Sequence, residues 1–296
     1  MASPKTLAVP DQTGRTFVVT GANSGLGFEA STRIAAAGGH VVLAVRDRAR
    51  GEEAASRIEG STEVRLVDTA SLASVRDFAD GLGRVDVLVN NAGVMAIDER
   101  RTVDGFELQF GTNFLGPFAL TALLLPKLTD RVVMQASLAH IGAPLPLDDL
   151  NWRRRRYNRF GAYGQTKLAD LMLAYGLAAR LAAVRSPLRS IAAHPGMSST
   201  NLTREVHMPK AVSAVTGLLI NGFGQSAGEG SLPSVLAATA PDLPNGSYVG
   251  PGGLAEVRGA PILVSSSRRS RNRELQRLLI EEAQRLTGVE LVVPVA

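Results

Sequence analysis

Residues 20–27 read Thr20-Gly21-Ala22-Asn23-Ser24-Gly25-Leu26-Gly27, and this stretch decides the fold. It follows a short apolar run and leads into a helical pattern of apolar residues that extends to Ile34. Glycines at a strand-to-helix turn permit a tight backbone and the close approach of a phosphate, whose negative charge the free amides and dipole of the helix N-terminus favour. We therefore predict that a dinucleotide pyrophosphate is cradled by Gly21, Asn23, Ser24, Gly25, Leu26 and Gly27.

The pattern that begins at this turn repeats along the chain. Short apolar runs alternate with helical periods from residue 16 to about residue 200, which is typical of strand-helix units in a parallel sheet. The predicted strands are residues 16–20, 40–45, 64–67, 85–90, 131–136 and 188–193, with a late strand near 247–249. Helices are predicted after each of the first five strands, including a long one over 163–183, and at the C-terminus. The predicted fold class is α/β, a single Rossmann-type doubly wound parallel sheet flanked by helices.

Composition fits one large domain of this class. The chain has 296 residues, 45% hydrophobic and 20% charged, and no cysteine, which excludes disulfides and cysteine-ligated metals. We predict an N-terminal arm at residues 1–14, a single dinucleotide-binding and catalytic domain at 15–296, and no metal site. The arm is polar and lacks the apolar core of a signal peptide or spanning helix, so we expect no membrane span and a cytoplasmic location.

The net charge of +5 raises the question of nucleic-acid binding. Arginines concentrate near Arg46, at Arg153 to Arg156, and at Arg268 to Arg273, but no known DNA- or RNA-binding motif accompanies them. The last group opens an amphipathic helix as its solvated face, and Arg153 to Arg156 fits a solvated loop beside an active-site entrance. We therefore expect no nucleic-acid partner.

A further apolar stretch, residues 211–224, is too short to span a bilayer. It follows the sixth strand, where such folds place their substrate side. The stretch could form part of a substrate lid around residues 197–224, and a plain core or subunit contact explains it equally well.

The end of the second strand distinguishes the two nicotinamide cofactors. An acidic residue there binds the ribose 2′-hydroxyl and repels a 2′-phosphate, whereas Val45 here is followed by Arg46, which can pair with a phosphate. This favours NADP(H) over NAD(H). Asp47 would be the ribose acid if the register shifted by one residue. Asp68, beyond the third strand, is a candidate to accept from the adenine amino group, or else starts the helix at Ser71.

Tyr163 and Lys167 lie four residues apart, which puts a phenol and an ammonium on one face of a helix. A tyrosine with a pKa of about 10 needs its anion favoured by about 4 kcal/mol to exchange protons near neutrality. One unit charge at ~4 Å in an effective dielectric of ~20 contributes about 4 kcal/mol. The pair is therefore a candidate proton-transfer centre, although the same spacing also occurs by chance on ordinary helix surfaces.

Together these motifs resemble the short-chain dehydrogenase/reductase family. The glycine turn, Asn90-Asn91-Ala92-Gly93, Asn113, Ser137, Tyr163 with Lys167, and Pro195-Gly196 occur in that family's order and approximate spacing, from about Gly14 to Pro251. The chain is similar to the single-domain branch and, more narrowly, to retinol dehydrogenase-like and protochlorophyllide reductase-like members. The lack of cysteine counts against the photochemical activity of the latter.

The resemblance implies a role for each matching residue. Tyr163 would be the general acid or base, Lys167 would lower its pKa and hold the nicotinamide ribose, and Ser137 would hydrogen-bond the substrate oxygen. Asn113 would bend its helix and position a relay water. Taken alone, Ser137 also fits a strand-end cap and Asn113 a buried amide. The remaining cofactor contacts would be Asn90, Ala92 and Gly93 at the adenosine ribose, and Pro195, Gly196, Ser198 and Thr200 at the nicotinamide.

The implied activity is NADP(H)-dependent interconversion of a carbonyl and an alcohol on an apolar small-molecule substrate. We expect a homo-oligomer, a dimer or tetramer, formed through the long helices as in relatives. His140 and His194 are assigned no catalytic role. The alternative is a protein that senses NADP(H) on the same fold without turnover, against which the complete set of Asn113, Ser137, Tyr163 and Lys167 counts.

Overall fold

The computed structural model describes residues 7–198 and 225–294. Within them, one eight-stranded sheet is flanked by helices. Its strands are β1 Thr16–Thr20, β2 His40–Val45, β3 Thr62–Leu66, β4 Val85–Asn90, β5 Leu128–Gln135, β6 Arg189–Ala193, β7 Tyr248–Pro251 and β8 Pro261–Leu263. The helices are α1 Gly25–Ala36, α2 Arg48–Ala55, α3 Leu72–Asp80, α4 Leu108–Phe110, α5 Gly116–Leu124, α6 Arg159–Ala183, α7 Ala227–Gly230, α8 Leu232–Thr239 and α9 Arg273–Thr287.

The strand order in the sheet is β3-β2-β1-β4-β5-β6-β7-β8. All neighbouring pairs are parallel except β7 and β8, which are antiparallel. The order reverses between β1 and β4, and such a switch point opens a crevice at the carboxyl ends of the strands. The predicted α/β doubly wound sheet is confirmed.

Both faces of the sheet are covered by apolar layers. Val18 and Val42 belong to the layer that includes α3, α5, α6 and α9, whereas Phe17 and Val41 belong to the layer under α1 and α8. Strands buried on both faces have near-continuous apolar sequences, which is why the runs were recognisable. The segment Leu108–Lys127 has the length and hydropathy of a membrane span, but 89% of its apolar window is buried in the core.

Predicted element boundaries agree best in the N-terminal half. β1, β2 and β4 match their predicted bounds, whereas β5 begins earlier than predicted and the short edge strand β8 was not predicted. Helix α6 begins at Arg159, before Tyr163, because the Asn158 side chain caps it by accepting from the Gly161 N–H at 2.8 Å. The pair Tyr163 and Lys167 therefore lies inside a helix already one turn long.

Two predicted segments are described only in part. Residues 7–14 of the N-terminal arm lie against the start of the sheet, where the buried Gln12 donates its backbone N–H to the Ala37 carbonyl at 2.7 Å. Of the predicted lid at 197–224, Met197 and Ser198 lie within the described residues, and 199–224, including Thr200, lie outside them.

Helix α9 covers part of the outer face of α6. Gly176 on α6 permits a close approach, because a Cβ there would lie 2.7 Å from Ile280 Cδ1. The opposite face of α9 carries ion pairs, among them Arg277 with Glu274 and Glu281 at 2.6 Å. Helix α9 thus covers part of the surface of α6, one of the long helices predicted to form the oligomer contact. The oligomeric state stays a prediction.

Candidate active site

The glycine turn forms where β1 ends and α1 begins. Gly21 and Gly25 have φ values of +67° and +57°, a region that favours glycine. A Cβ on Gly27 would lie 2.5 Å from Asn91 Nδ2 and 2.6 Å from the Gly21 carbonyl oxygen, so no side chain fits there. Among the described residues, the Ser24 side chain caps none of the helix amides. These amides remain available to a phosphate at the N-terminus of α1.

The end of β4 is tied to this turn by a residue that the sequence interpretation passed over. Asn91 Nδ2 donates to the Thr20 carbonyl at 2.8 Å, and the backbone N–H groups of Asn91 and Ala92 donate to Thr20 Oγ1 at 3.0 and 2.9 Å. Asn90 instead is buried and donates to Thr121 Oγ1 at 2.9 Å. Asn91 therefore lines the cleft, and Asn90 anchors the strand to α5. The contact of Asn90 with the cofactor stays a prediction.

A cleft of about 950 Å³ opens at the carboxyl ends of the strands. It brings together the predicted residues Gly21, Asn23, Ser24, Gly25, Leu26, Arg46, Asp68, Ala92, Gly93, Ser137, Tyr163, Lys167, Pro195, Gly196 and Ser198. Gly27, Asn90 and Asn113 lie outside its lining. We call residues 20–27, 45–47 and 91–93 the cofactor wall, and residues 94–97, 137, 163–167 and 195–198 the catalytic wall.

The end of β2 places Arg46 at the surface of the cleft. Asp47, the alternative ribose acid, is the N-cap of α2, and its Oδ1 accepts from the Arg50 N–H at 3.1 Å. One oxygen of its carboxylate is therefore engaged at the helix start, and the other lies 3.7 Å from Arg50 Nε. Arg50 and Arg57 also line this end of the cleft, and nothing in the sequence pattern had singled them out for the cofactor.

Asp68, beyond β3, also lines the cleft. Its Oδ1 accepts from the Ala70 N–H at 2.9 Å, which orders the turn before α3. The cap of α3 is Ser71, whose Oγ accepts from the Ser74 N–H at 3.3 Å. Helix initiation therefore belongs to Ser71, and Asp68 keeps a second carboxylate oxygen for the cleft.

Ser137 follows β5, and the structure shows the first of the two roles considered for it, the strand-end cap, while the bond to a substrate oxygen stays a prediction. Its Oγ accepts from the Ala139 N–H at 3.2 Å, which caps a 3₁₀ turn at Leu138–His140. This bond uses an oxygen lone pair and leaves the hydroxyl proton to donate into the cleft. His140 supports the turn, since its Nδ1 lies 2.7 Å from the Ser137 carbonyl oxygen.

Tyr163 and Lys167 share one face of α6, as predicted, with Lys167 Nζ 5.8 Å from the centroid of the Tyr163 ring. Lys167 Nζ donates to the Gln135 carbonyl and pairs with Asp170 Oδ2, both at 2.9 Å. Burial alone would lower the pKa of the Lys167 ammonium, but the Asp170 carboxylate and then Tyr163 outweigh it, and the pKa is raised. A protonated lysine therefore lies beside the phenol.

Asn113 lies in a π-helical turn, Gly111–Leu115, between α4 and α5. Such turns bend helices and often mark functional positions. Its Nδ2 donates to the Val94 carbonyl at 2.8 Å and to Thr166 Oγ1 at 3.1 Å, and its Oδ1 accepts from the Val94 N–H at 2.8 Å. The buried-amide interpretation is confirmed. The relay water stays a prediction, and both donors of this amide are engaged elsewhere.

A second polar network supports residues 94–97, and the sequence interpretation missed it. Buried Glu107 caps α4 by accepting from the N–H groups of Gln109 and Phe110 at 2.9 and 2.7 Å. Tyr157 Oη lies 3.0 Å from Glu107 Oε1, and Gln109 Oε1 accepts from the Ala96 N–H at 2.9 Å. Ala96 has a φ of +51°, uncommon for a residue with a side chain, so these bonds hold a strained loop.

His194 braces the turn at Pro195 and Gly196 from behind. Its Nδ1 accepts from the Gly196 N–H at 3.2 Å, and its Nε2 donates to Glu256 Oε2 at 2.9 Å. Burial, and then His140, lower the pKa of His194 to about 4, so near neutral pH its contact with Glu256 is a hydrogen bond of a neutral ring. His194 does not line the cleft.

The basic run Arg153 to Arg156 lies outside the cleft lining. Asp149 orders this loop, because its carboxylate accepts from the N–H groups of Arg153 and Arg155 at 2.7 and 3.2 Å. Arg155 stacks on the Trp152 ring at 3.5 Å. Within residues 7–198 and 225–294, no group of three or more carboxylates and histidines is arranged to hold a metal.

Comparisons with known proteins place this geometry in context. The family model for short chain dehydrogenase matches residues 15–144. Human retinol dehydrogenase 13 is 38% identical, with 98% of this chain and 88% of that protein covered, and mouse polyprenol dehydrogenase is 38% identical, with 95% and 86% covered.

A crystal structure of an uncharacterized protein from Mycobacterium paratuberculosis is 45% identical with a TM-score of 0.84, and 96% of this chain and 97% of that one are covered. A structure from Beutenbergia cavernae, named for NAD(P) dependent gluconate 5-dehydrogenase and holding NADP at low occupancy, is 26% identical with a TM-score of 0.64, and 80% and 95% are covered.

Proposed function

This chain belongs to the short-chain dehydrogenase/reductase family, and from that premise we propose that it uses NADP(H), with Tyr163 as the proton-transfer group, on an apolar substrate. Family membership carries the coarser activity, which is NAD(P)-dependent interconversion of carbonyl and alcohol groups.

The observation that carries the proposal is the protonated Lys167 beside Tyr163 in a cleft that also contains Ser137. A positive charge beside a phenol favours the anion over the neutral form, which is what proton transfer by a tyrosine requires. The Ser137 hydroxyl donates to the same substrate oxygen and stabilises the charge that develops on it. The chain thus supplies proton transfer and polarisation of one oxygen atom.

The cofactor wall fits a dinucleotide. Gly21 lets the turn approach closely, since a Cβ there would lie 3.0 Å from Ala92 Cα, and the amides of α1 follow directly. The nicotinamide, when bound, supplies the hydride. Pro195, Gly196 and Ser198 line the far end of the cleft, where they would orient the ring against the substrate.

The preference for NADP(H) rests on the charges at the end of β2. Arg46, Arg50 and Arg57 line the cleft there, and Asp47 is engaged as the cap of α2. A 2′-phosphate would face these guanidinium groups, which bind phosphates well. A ribose 2′-hydroxyl would find Asp47 at this end of the cleft, whose carboxylate is shared with the start of α2 and with Arg50.

The substrate proposal rests on the lining of the catalytic wall. Met95, Ile97 and Met197 face the cleft on that side, and flexible methionines adapt to apolar ligands of irregular shape. Two of the relatives are named for retinol and polyprenol, both apolar alcohols. We propose an apolar alcohol or its aldehyde or ketone as the substrate.

The test is NADPH and NADH consumption by the purified protein with a panel of apolar and polar aldehydes and ketones. Tyr163→Phe should reduce kcat by about 10²- to 10⁴-fold, the usual range for a general acid, with the Kd for NADPH nearly unchanged. Tyr175→Phe is the matched control, since Tyr175 lies on the same helix and its hydroxyl bonds to Ser266 Oγ at 2.9 Å.

Retained turnover in Tyr163→Phe would remove Tyr163 from the role of acid. Tight NADPH binding without consumption across the whole panel would favour the sensing alternative. Faster turnover of polar than of apolar carbonyls would overturn the substrate proposal and leave the proton-transfer proposal intact.

A further inference from the structure

Behind Lys167, on the side away from the cleft lining, lies a second buried charge. Asp170 is three residues further along α6, and its Oδ2 accepts from Lys167 Nζ at 2.9 Å. The two side chains are 5% and 2% exposed. Asp170 itself does not line the cleft. An ion pair thus lies directly under the candidate proton-transfer centre.

Asp170 differs from the structural carboxylates of this fold. Asp149 accepts from three backbone N–H groups, those of Arg153, Arg154 and Arg155, and Glu107 from two. Asp170 Oδ1 is buried without a hydrogen-bond partner among the described residues. The charge of Asp170 is therefore directed at Lys167 and organises no loop or helix end.

A buried ammonium needs such a partner. Removing a lysine from water favours its neutral form, and fully buried lysines can lose their proton below pH 7. Lys167 is buried and, among the described residues, has one acceptor besides Asp170, the Gln135 carbonyl. Among the described residues, the charged groups that act on Lys167 are Asp170 and Tyr163, and the one that acts on Asp170 is Lys167. Burial raises the pKa of Asp170 to about 6 although Lys167 opposes it, so its carboxylate is charged at neutral pH and above.

We propose that Asp170 is a positioning residue that keeps Lys167 protonated and held beneath Tyr163, and so sets the upper pH limit of turnover. The proposal rests on the proposed function, because it assigns a role through Lys167 and Tyr163. The pKa of Lys167 is raised in spite of its burial, with Asp170 as the main cause, which agrees with this role.

The test is Asp170→Asn, which keeps the shape of the side chain and removes its charge. Without the carboxylate, burial lowers the pKa of Lys167, so the ammonium is lost as the pH rises. The ratio of variant to wild-type kcat should be highest near pH 6 and should fall by about tenfold per pH unit above the new pKa, as expected for loss of one proton. The Kd for NADPH at pH 6 should stay within about threefold of the wild-type value.

Asp149→Asn is the matched control, because Asp149 is another buried carboxylate paired with a cation, Arg155, at 3.4 Å and outside the cleft lining. Its ratio to wild type should not vary with pH. A pH-independent ratio for Asp170→Asn as well, or no loss of activity in it, would overturn the proposal.

A second readout needs neither turnover nor a folded variant. The chain has four lysines, Lys5, Lys127, Lys167 and Lys210, so the ¹³Cε signal of Lys167 can be followed by NMR in labelled wild-type protein. It should remain that of an ammonium up to at least about pH 10, near the ordinary lysine pKa. Titration of this signal below pH 9 in the wild type would overturn the proposal. Absence of wild-type turnover would count against the proposed function, and the NMR result would still show whether Lys167 stays protonated, on which the role of Asp170 depends.

Discussion

The cofactor wall and the catalytic wall of the cleft are held in place by different kinds of interaction. On the cofactor wall the decisive features belong to the backbone: left-handed glycines, a missing Cβ at Gly27, and helix amides left free at Ser24. On the catalytic wall the backbone is held by buried polar side chains, among them those of Asn113 and His194. Each of these side chains reaches a part of the chain that lies far away in sequence or on another element.

This difference determines how each wall should fail. A backbone cradle has no titratable group, so it should tolerate a change of pH but should not tolerate an added methyl group. A wall held by buried polar side chains should tolerate small changes in volume at the surface but should respond to a change in protonation. Three substitutions test this contrast.

The largest effect is expected for Gly27→Ala on the cofactor wall. The new Cβ would meet Asn91 Nδ2 at 2.5 Å and the Gly21 carbonyl oxygen at 2.6 Å, and the latter belongs to the backbone of the phosphate turn and cannot yield without opening it. Overpacking of this kind costs about 1–3 kcal/mol or more, so we expect NADPH affinity to fall by about 100-fold. Fluorescence titration with NADPH measures this change.

Gly83→Ala is the control for that substitution, because a Cβ at Gly83 meets no atom within 4 Å and its φ is not left-handed. It should bind NADPH like the wild type. If Gly27→Ala also binds NADPH with wild-type affinity, the cofactor wall is not held by backbone contact in the way described.

The same difference explains what the sequence could predict. The glycine turn and the strands of the cofactor wall depend on local signals, a glycine pattern and apolar runs, and so β1, β2 and β4 were predicted with their observed bounds. A strand-end motif does not say which of two adjacent side chains points to the cleft, and here the side chain of Asn90 bonds to Thr121 on α5 whereas that of Asn91 bonds to the glycine turn.

The supports of the catalytic wall could not be predicted in this way. Tyr157 bonds to Glu107 across 50 residues and His194 to Glu256 across 62, and no local periodicity indicates such pairs. The pairing of Asp170 with Lys167 could have been predicted, since a carboxylate three residues after Lys167 shares its helix face. The sequence does not show that both side chains are buried. Burial matters because a buried ammonium needs a charged partner to stay protonated.

The next effect in size is the acid response of the catalytic wall. The folded-state pKa of His194, about 4, lies below the unfolded value of about 6.5, so the fold favours the neutral ring and loses stability as the pH falls through this range. Between pH 7 and pH 5 this linkage costs about 2 kcal/mol. We expect His194→Gln to be less stable than wild type at pH 7 and the gap to shrink by about that amount at pH 5.

Urea denaturation at the two pH values measures this gap. His40→Gln is the control, because His40 lies at the surface beside Ser61 and braces no part of the cleft. A decrease of the same size in His40→Gln would mean that the acid response does not belong to the catalytic wall. A constant gap for His194→Gln would mean that the neutral histidine is not what makes the catalytic wall sensitive to acid.

The smallest effect tests the one place where the cofactor wall depends on a charged side chain. Arg46 lies at the cleft surface after β2, where a 2′-phosphate would pair with it in contact with solvent. Exposed ion pairs contribute about 1 kcal/mol or less, and a doubly charged phosphate raises this moderately, so we expect Arg46→Ala to weaken NADPH by about fivefold to tenfold. NADH affinity should change by less than about twofold.

Arg48→Ala is the matched control, since Arg48 is two residues away, pairs with Glu52 at 3.7 Å and does not line the cleft. Equal losses of NADPH and NADH affinity in Arg46→Ala would show that Arg46 does not bind the 2′-phosphate. The preference for NADPH over NADH would then have to come from Arg50 or Arg57. A selective loss would mean that the glycine turn supplies general dinucleotide affinity and one guanidinium supplies the choice between cofactors.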